Sequence, residues 1–341
     1  MSLQFSPGQI ANLEQEIFQI RDKLHFEKLA LKVFAYQYEV NSVYRTYCDY
    51  LKRTPENVNH ITELPYLPIE FFKTQTVISG NDAHELFFES SGTTGQDRSR
   101  HFIKSADLYR NAFLTTFQRF YGSPDDFYIL ALLPSYLENK HSSLIFMVNE
   151  LIQQSGHKES GFYLDNLKEL AENLSILKKR SQKILLLGVS FALLELAERY
   201  PMDLSDVTIM ETGGMKGRRE ELTRHELHHI LRKSFQTSHI HSEYGMAELL
   251  TQAYSKGDGL FETPPWMHIL VREYNDPFHI RHKPDATEIS GGVNIIDLAN
   301  LHSCAFIETK DIGKIYKDGT FEILGRFDYS DVRGCNLLVM E

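Results

Sequence analysis

The chain has few of the residues that staple a fold covalently or through metal: its 341 residues include three cysteines, Cys48, Cys304 and Cys335, and no CxxC pair. Such spacing offers neither a disulfide framework nor a zinc site, and it fits a reducing compartment. Long apolar runs are also missing. Nothing approaches the ~18 apolar residues of a membrane span, and the stretch from Met1 to Ile20 carries Glu14 and Glu16 where a secretory leader is continuously apolar. Positive charge is in deficit. With 36 Lys and Arg against 46 Asp and Glu, a net charge of −10 gives no global attraction to phosphate backbones or anionic lipid. A GxxxxGK[ST] loop and the kinase signature set are absent, which disfavours the common nucleotidases and a kinase-like phosphotransferase. The expectation is a cytoplasmic protein with no nucleic-acid partner and no membrane span.

What is present describes an ordinary globular protein of one large domain or two, 42% hydrophobic and 24% charged. From Ser6 to about Arg53 apolar residues recur at helical spacing (Ile10, Leu13, Ile17, Ile20, Leu24), which predicts two or three helices. Pro65 and Pro68 then mark an extended crossing segment. From Leu86 to about Gln236 strand-like runs (Leu86–Glu89, Phe127–Leu132, Ile184–Leu187) alternate with helical stretches (Asp107–Phe120, Arg218–Lys233), the pattern of an α/β sheet wrapped by helices. After about Pro264 the texture is β-rich: Met267–Arg272, Glu288–Ile296, Ala305–Glu308, Lys314–Tyr316 and Phe321–Leu324, with a turn at Lys317-Asp318-Gly319. The divisions drawn are 1–60 as a helical segment, 61–265 as an α/β core and 266–341 as a β-rich subdomain, all of one domain.

Four stretches point to a nucleotide. Ser90-Ser91-Gly92-Thr93-Thr94-Gly95 follows the strand-like Leu86–Glu89. A loop of glycines and hydroxyls presents backbone N–H groups and side-chain donors together, as an anionic polyphosphate requires. Arg98 and Arg100 offer charge for phosphate oxygens. A polar turn after a strand is the plainer alternative. Ser242-Glu243-Tyr244-Gly245-Met246-Ala247-Glu248 follows the strand-like Thr237–His241, where a Tyr ring can stack on a base and a Glu can hold Mg²⁺; a solvated helix start fits the same letters. Glu211-Thr212-Gly213-Gly214-Met215-Lys216-Gly217 lies between strand-like Val207–Met210 and a helix, so it reads as a close backbone approach to a ligand or as a tight turn. Asp311 precedes a β-ribbon that ends in Gly325-Arg326-Phe327-Asp328, and Asp is the usual partner of ribose hydroxyls.

In order and spacing these stretches resemble the adenylate-forming superfamily of acyl-CoA synthetases, peptide-synthetase adenylation domains and luciferases. Leu67-Pro68-Ile69-Glu70-Phe71-Phe72-Lys73, Leu133-Pro134-Ser135-Tyr136-Leu137 and Arg333-Gly334-Cys335-Asn336-Leu337 look closest to the LuxE-like acyl-protein synthetases. The resemblance covers about His60 to the end. It implies the large N-terminal domain of that superfamily, α/β with helix-flanked sheets and a β-rich subdomain, without the small C-terminal domain and its lysine. It also implies ATP and Mg²⁺, with attack of a substrate carboxylate on the α-phosphate to give an acyl-adenylate and pyrophosphate. By resemblance Ser90, Ser91, Gly92, Thr93, Thr94 and Gly95 would form the phosphate loop, and Gly213 and Gly214 would border the adenine. Tyr244 would stack against the adenine beside Gly245, Glu248 would bind Mg²⁺, Asp311 would hold the ribose, and Arg326 would lie near ribose and phosphate, with Asp328 at the hinge. The family's phosphate loop ends in a lysine, whereas Gln96-Asp97-Arg98-Ser99-Arg100 follows here, so Lys216, Arg98 and Arg100 are candidates for the missing charge.

In the acyl-protein synthetase branch the acyl acceptor is a cysteine near the C-terminus, and Cys335 holds the matching place, with Arg333 beside it to favour the thiolate. A small buried apolar residue is the other reading of Cys335. Coenzyme A, an acyl-carrier protein or a reductase partner are alternative acceptors or companions of a carboxylic acid substrate, fatty or aryl. A non-catalytic or partner-dependent nucleotide-binding scaffold is the competing function. His141 is placed near an acyl pocket or on the surface. His225, His228 and His229 share a helix face, but no HExxH pattern accompanies them.

Overall fold

The computed structural model describes residues 5–80, 84–90, 98–134, 141–164, 166–213, 222–281 and 287–327. Three helices open the chain: α1 (Pro7–Ile17), α2 (Lys23–Val40) and α3 (Ser42–Tyr50). Local chemistry sets their starts. Ser6 and Gln9 form a capping box with Pro7 in the first turn, and the side chains of Asp22 and Asn41 accept backbone N–H groups at the next two N-termini. The proline-marked segment becomes β1 (Leu67–Pro68) and the short α4 (Phe71–Thr74), with Leu67 opposite Ile307.

A two-stranded ribbon follows, β2 (Leu86–Glu89) and β3 (Arg100–Ile103), antiparallel with Glu89 opposite Arg100. The strand read at Leu86–Glu89 therefore exists, but it stands outside the main sheet. The alternating region is α5 (Ala106–Tyr121), β4 (Phe127–Leu132), α6 (Ser143–Ser155), β5 (Gly161–Tyr163), α7 (Leu167–Leu177), β6 (Lys183–Val189), α8 (Ser190–Arg199), β7 (Val207–Thr212), α9 (Arg224–Phe235) and β8 (His241–Tyr244). Strands β5, β4, β6, β7 and β8 lie side by side and parallel. Every residue of β4, and all but Lys183 of β6, is buried, as expected of strands covered by helices on both faces.

Beyond β8 the sheet turns antiparallel through β9 (Ala253–Ser255), β10 (Phe261–Glu262), β11 (Met267–Arg272), β12 (Glu288–Asp297), β13 (Phe306–Tyr316) and β14 (Phe321–Arg326). Together with β1 these strands make one twelve-stranded sheet, whose order runs β11-β12-β13-β14-β10-β9-β8-β7-β6-β4-β5. Among the described residues no helix is long and apolar enough to cross a membrane.

Some boundaries differ from the sequence reading. Phe306–Glu308, from the run read at Ala305–Glu308, and Lys314–Tyr316 belong to one strand, β13, because Thr309 and Asp311 alternate inward and are satisfied by hydrogen bonds. Asp311 thus lies inside a strand, opposite Arg326, instead of ahead of a ribbon. The helix read from Arg218 begins at Arg224, where Thr223 and Glu226 form a capping box. Thr237–Ile240 are not strand: Gln236 ends α9 in a left-handed conformation at φ 52°, and β8 starts only at His241. Ser242, Glu243 and Tyr244 are therefore the strand itself, and Gly245 to Glu248 leave its carboxyl end.

Candidate active site

The carboxyl ends of β7 and β8 carry a cluster of buried polar groups. Glu211 takes Nε of Arg224 at 3.1 Å, lies 3.6 Å from Nε2 of His228 and accepts the Ser190 hydroxyl at 3.2 Å. Burial pushes its carboxyl up, but the His228 hydrogen bond and the Arg224 charge outweigh this and hold it below the usual range. His228 is thus committed to Glu211 and Ser242, and His225 and His229 do not join it: among the described residues no three His, Cys, Asp or Glu are grouped to hold a metal. Gly213, at φ +66°, turns the chain out of β7 in a conformation side chains resist, and its carbonyl accepts the Ser190 hydroxyl at 3.0 Å.

On β8, Glu243 accepts the Thr212 hydroxyl. Burial pushes its carboxyl up to about 7, with the Thr212 hydrogen bond opposing and the like charge of Glu211 adding to the rise. A Cβ at Gly245 would crowd Glu243 Oε1, so a larger residue there would push the Glu243 carboxylate aside. The Tyr244 hydroxyl donates to Asp311 Oδ2 at 2.6 Å, and Arg326 Nε meets Asp311 Oδ1 at 3.0 Å. Tyr244 is buried, which with the Asp311 carboxylate pushes its phenol well up, and its ring packs edge-on to Phe261 and Phe321, each 5.9 Å away.

Glu248 ties this cluster to the residues that flank the hydroxyl-and-glycine stretch. Of that stretch only Ser90 is among the described residues, and Ser90 and Ser99 are joined by two hydrogen bonds, Ser90 N to Ser99 O at 3.2 Å and Ser99 N to Ser90 Oγ at 3.1 Å. The Ser99 hydroxyl donates to Glu248 Oε1. Two residues on, His101 Nδ1 lies 2.9 Å from the Ala247 carbonyl. Burial pushes the Glu248 carboxyl up, while the Ser99 hydrogen bond and the positive charges of Arg326 and Lys73 draw it back. Burial also lowers His101 to about 4, so the ring is neutral, and its Nε2 has no hydrogen-bond partner among the described residues.

Of the predicted site residues, Ser90, Gly213, Tyr244, Gly245, Glu248, Asp311 and Arg326 fall in this connected region. Ser91, Gly92, Thr93, Thr94, Gly95, Gly214, Lys216, Asp328, Arg333 and Cys335 lie outside the described residues. Arg98 and Arg100, read as phosphate partners, both pair with Glu89, at 3.5 and 3.1 Å. His141 stacks on Phe87 with ring centroids 4.0 Å apart. The two described thiols are buried: burial raises Cys48 strongly and Cys304 to about 12, so neither is a nucleophile at neutral pH. A separate cleft of about 490 Å³ opens between α2, His60–Thr62 and β11, and shares no residue with this cluster. Sequence reasoning missed Ser99, His101 and Asn300, whose Nδ2 donates to the Glu248 carbonyl at 2.8 Å. The only signal was Ser99 and His101 at strand spacing directly after the loop.

Residues 15–111 match the profile of the family described as acyl-protein synthetase, LuxE. No curated protein sequence matches the chain. Among solved structures, the chain is similar to O-succinylbenzoate coenzyme A synthetase from Bacillus subtilis, solved in complex with AMP, with 14% identity, a TM-score of 0.50, and coverage of 74% of this chain and 63% of that one. It is also similar to a long-chain-fatty-acid–CoA ligase from Archaeoglobus fulgidus (16% identity, TM-score 0.49, covering 72% and 52%). A third is a luciferase-like enzyme from the nonluminescent Zophobas morio mealworm (17%, 0.48, covering 74% and 60%). The chain spans between half and two thirds of the length of these structures. Its fold is the mixed α/β fold of the large N-terminal domain of adenylate-forming enzymes.

Proposed function

We propose that the chain activates a carboxylic acid with ATP, forming an acyl-adenylate and pyrophosphate, and passes the acyl group to a thiol. The observation that carries this reading is the hydrogen bond from Ser99, which follows the hydroxyl-and-glycine stretch in sequence, to Glu248 at the end of the Tyr-Gly-x-x-Glu stretch. The Tyr244, Asp311 and Arg326 chain adjoins it. Support comes also from the match to the acyl-protein synthetase profile and from a relative of the same fold that was solved with AMP.

In this reading the turn beginning at Ser90 cradles the triphosphate, with Ser91 to Gly95 supplying N–H and hydroxyl donors. Gly213 and Gly214 border the base, Tyr244 and Gly245 line it, and Asp311 takes the ribose hydroxyls while Arg326 faces ribose and phosphate. Asp311 keeps free lone pairs for this after serving Tyr244 and Arg326. A lone buried carboxylate, Glu248, suits Mg²⁺, which is usually held by one or two carboxylates together with substrate phosphates. The ion, when bound, neutralises phosphate charge. A carboxylate oxygen of the acid attacks the α-phosphorus, and the bond to the pyrophosphate oxygen breaks. A thiolate then attacks the acyl carbon and AMP leaves. The protein's share of this work is in-line positioning and charge neutralisation more than nucleophilic chemistry.

The acceptor assigned is Cys335, with coenzyme A or a carrier protein as alternatives, and the segments 1–60, 61–265 and 266–341 are taken to act as one domain. Incubation with Mg·ATP and a panel of fatty and aryl acids, followed by intact-mass measurement, tests this. The reading expects pyrophosphate release and an acyl adduct that Cys335→Ser abolishes. An adduct that survives Cys335→Ser removes that cysteine, and nucleotide binding without pyrophosphate release for any acid leaves a non-catalytic scaffold.

A further inference from the structure

The segment from Gly245 to Gln252 belongs to no helix or strand, so neither a ladder nor a helix fixes the backbone of Glu248. We propose that the turn Asp297–Cys304 is the frame that fixes it, and that Asn300 and, behind it, Gln37 of α2 are positioning residues for the Glu248 carboxylate. The inference rests on the reading that Glu248 meets a nucleotide-borne metal ion.

One side of the turn grips the segment. Asn300, fully buried, donates from Nδ2 to the Glu248 carbonyl at 2.8 Å. Asp297, also fully buried, accepts from Leu250 N at 2.8 Å and Thr251 N at 3.0 Å through Oδ2, and from the Thr251 hydroxyl at 2.6 Å through Oδ1. The other side is held by the N-terminal helices. Gln37, again fully buried, donates from Nε2 to the carbonyls of Asn300 at 2.8 Å and Leu301 at 3.0 Å, and its Oε1 accepts Ala305 N at 2.9 Å. Asn41 and Ser79 both donate to the Ser303 carbonyl, and Glu14 of α1 meets His302 Nε2 at 2.5 Å.

The turn thus has little freedom of its own, because its carbonyls at Asn300, Leu301 and Ser303 are spent on Gln37, Asn41 and Ser79, while its side chains Asp297, Asn300 and His302 are spent on the Glu248 segment and α1. Buried groups of this kind cannot exchange their partners for water, so removing one shifts the frame rather than rehydrating it. Any such shift passes through Asn300 to the backbone that carries Glu248, whose carboxylate is fixed at its far end by Ser99. Helices at the start of the chain, far in sequence from Glu248, thereby set the geometry of the metal-facing group. Outer partners of metal-bound groups typically govern metal affinity by about 10–100-fold.

The test uses the whole chain with a non-hydrolysable ATP analogue and calorimetry. Mg²⁺ is titrated into the protein saturated with the analogue, and the analogue alone is titrated without metal. Gln37→Met and Asn300→Ala are expected to weaken Mg²⁺ binding by about tenfold while leaving the metal-free analogue's affinity within about twofold. Leu170→Ala, a buried change in α7 that destabilises without touching the frame, is expected to leave both unchanged. Glu14→Gln, a milder change at the rim, keeps the test open if a buried variant does not fold, and is expected to shift Mg²⁺ affinity in the same direction. Hydrogen exchange at Leu250 and Thr251 without any ligand should quicken in Gln37→Met. Unchanged Mg²⁺ affinity in the folded frame variants, or an equal loss in Leu170→Ala, overturns the proposal. A wild-type chain that takes up no Mg²⁺-nucleotide refutes the functional reading itself, and the metal role of the frame falls with it.

Discussion

Replacing Glu243 by glutamine should make the protein more stable at pH 8 and leave it nearly unchanged at pH 5. The reason is the direction of the Glu243 shift: burial raises the carboxyl from an ordinary 4.5 to about 7 in the folded chain. Between those values the folded state keeps a proton that the unfolded state has released. Stability is therefore fully present below pH 4.5 and is lost as pH rises toward 7, with no further change above. The span of about 2.5 units, at 1.36 kcal/mol per unit, is worth about 3 kcal/mol. Glutamine keeps the volume and an oxygen for the Thr212 hydroxyl but cannot ionise. The difference between variant and wild type in urea unfolding should be within about 1 kcal/mol at pH 5 and about 2–3 kcal/mol in favour of Glu243→Gln at pH 8. Asp297, raised to about 6 by burial, titrates in both proteins and cancels from the comparison. A variant that is destabilised equally at both pH values would show that Glu243 is ionised and well solvated throughout, which refutes the reasoning.

Four further outcomes are expected. Tyr244→Phe removes a 2.6 Å hydrogen bond to the buried Asp311 carboxylate and should cost about 1.5–3 kcal/mol in denaturant unfolding. Ser99→Ala removes the hydrogen bond that opposes the burial shift of Glu248, so its carboxyl should titrate higher, and the acid limb of the pH profile for pyrophosphate exchange should move to higher pH. Arg224→Met strips a charge partner from the buried Glu211 and should cost about 3–5 kcal/mol; by contrast, Lys168→Ala, in an exposed pair with Glu172, should stay within about 0.5 kcal/mol when both are unfolded in urea.

Much of the scaffold is legible in the sequence because it obeys local rules. Met267–Arg272 is a strand with the bounds its apolar run gives, and Phe127–Leu132 is likewise a strand end to end. The helix read at Asp107–Phe120 is α5, lengthened by one residue at each end through the Ser105 cap and Gly122. Reading fails where a nonlocal partner decides. The polar Thr309-Lys310-Asp311 looked like a break between strands, yet β13 runs through it because Tyr244 and Arg326 satisfy Asp311 from other strands. Thr237 and Ile240 looked like strand, but the left-handed Gln236 sets a loop there. In the candidate site, the motif spacing singled out Tyr244, Glu248, Asp311 and Arg326, and the structure brings them into one region. The residues that hold the Ala247–Glu248 segment are less legible: Ser99 and His101 show only strand spacing after the loop, and Asn300 shows nothing local, since its role exists only once the turn after β12 reaches that segment.

The central claim is tested most directly by ATP–pyrophosphate exchange with the purified chain, Mg²⁺ and individual carboxylic acids. The account predicts exchange that depends on at least one acid and falls by about a hundredfold or more in Glu248→Gln, as when a group serving the transition state is removed. Absence of exchange with every acid, or exchange that Glu248→Gln leaves at the wild-type rate, would contradict it.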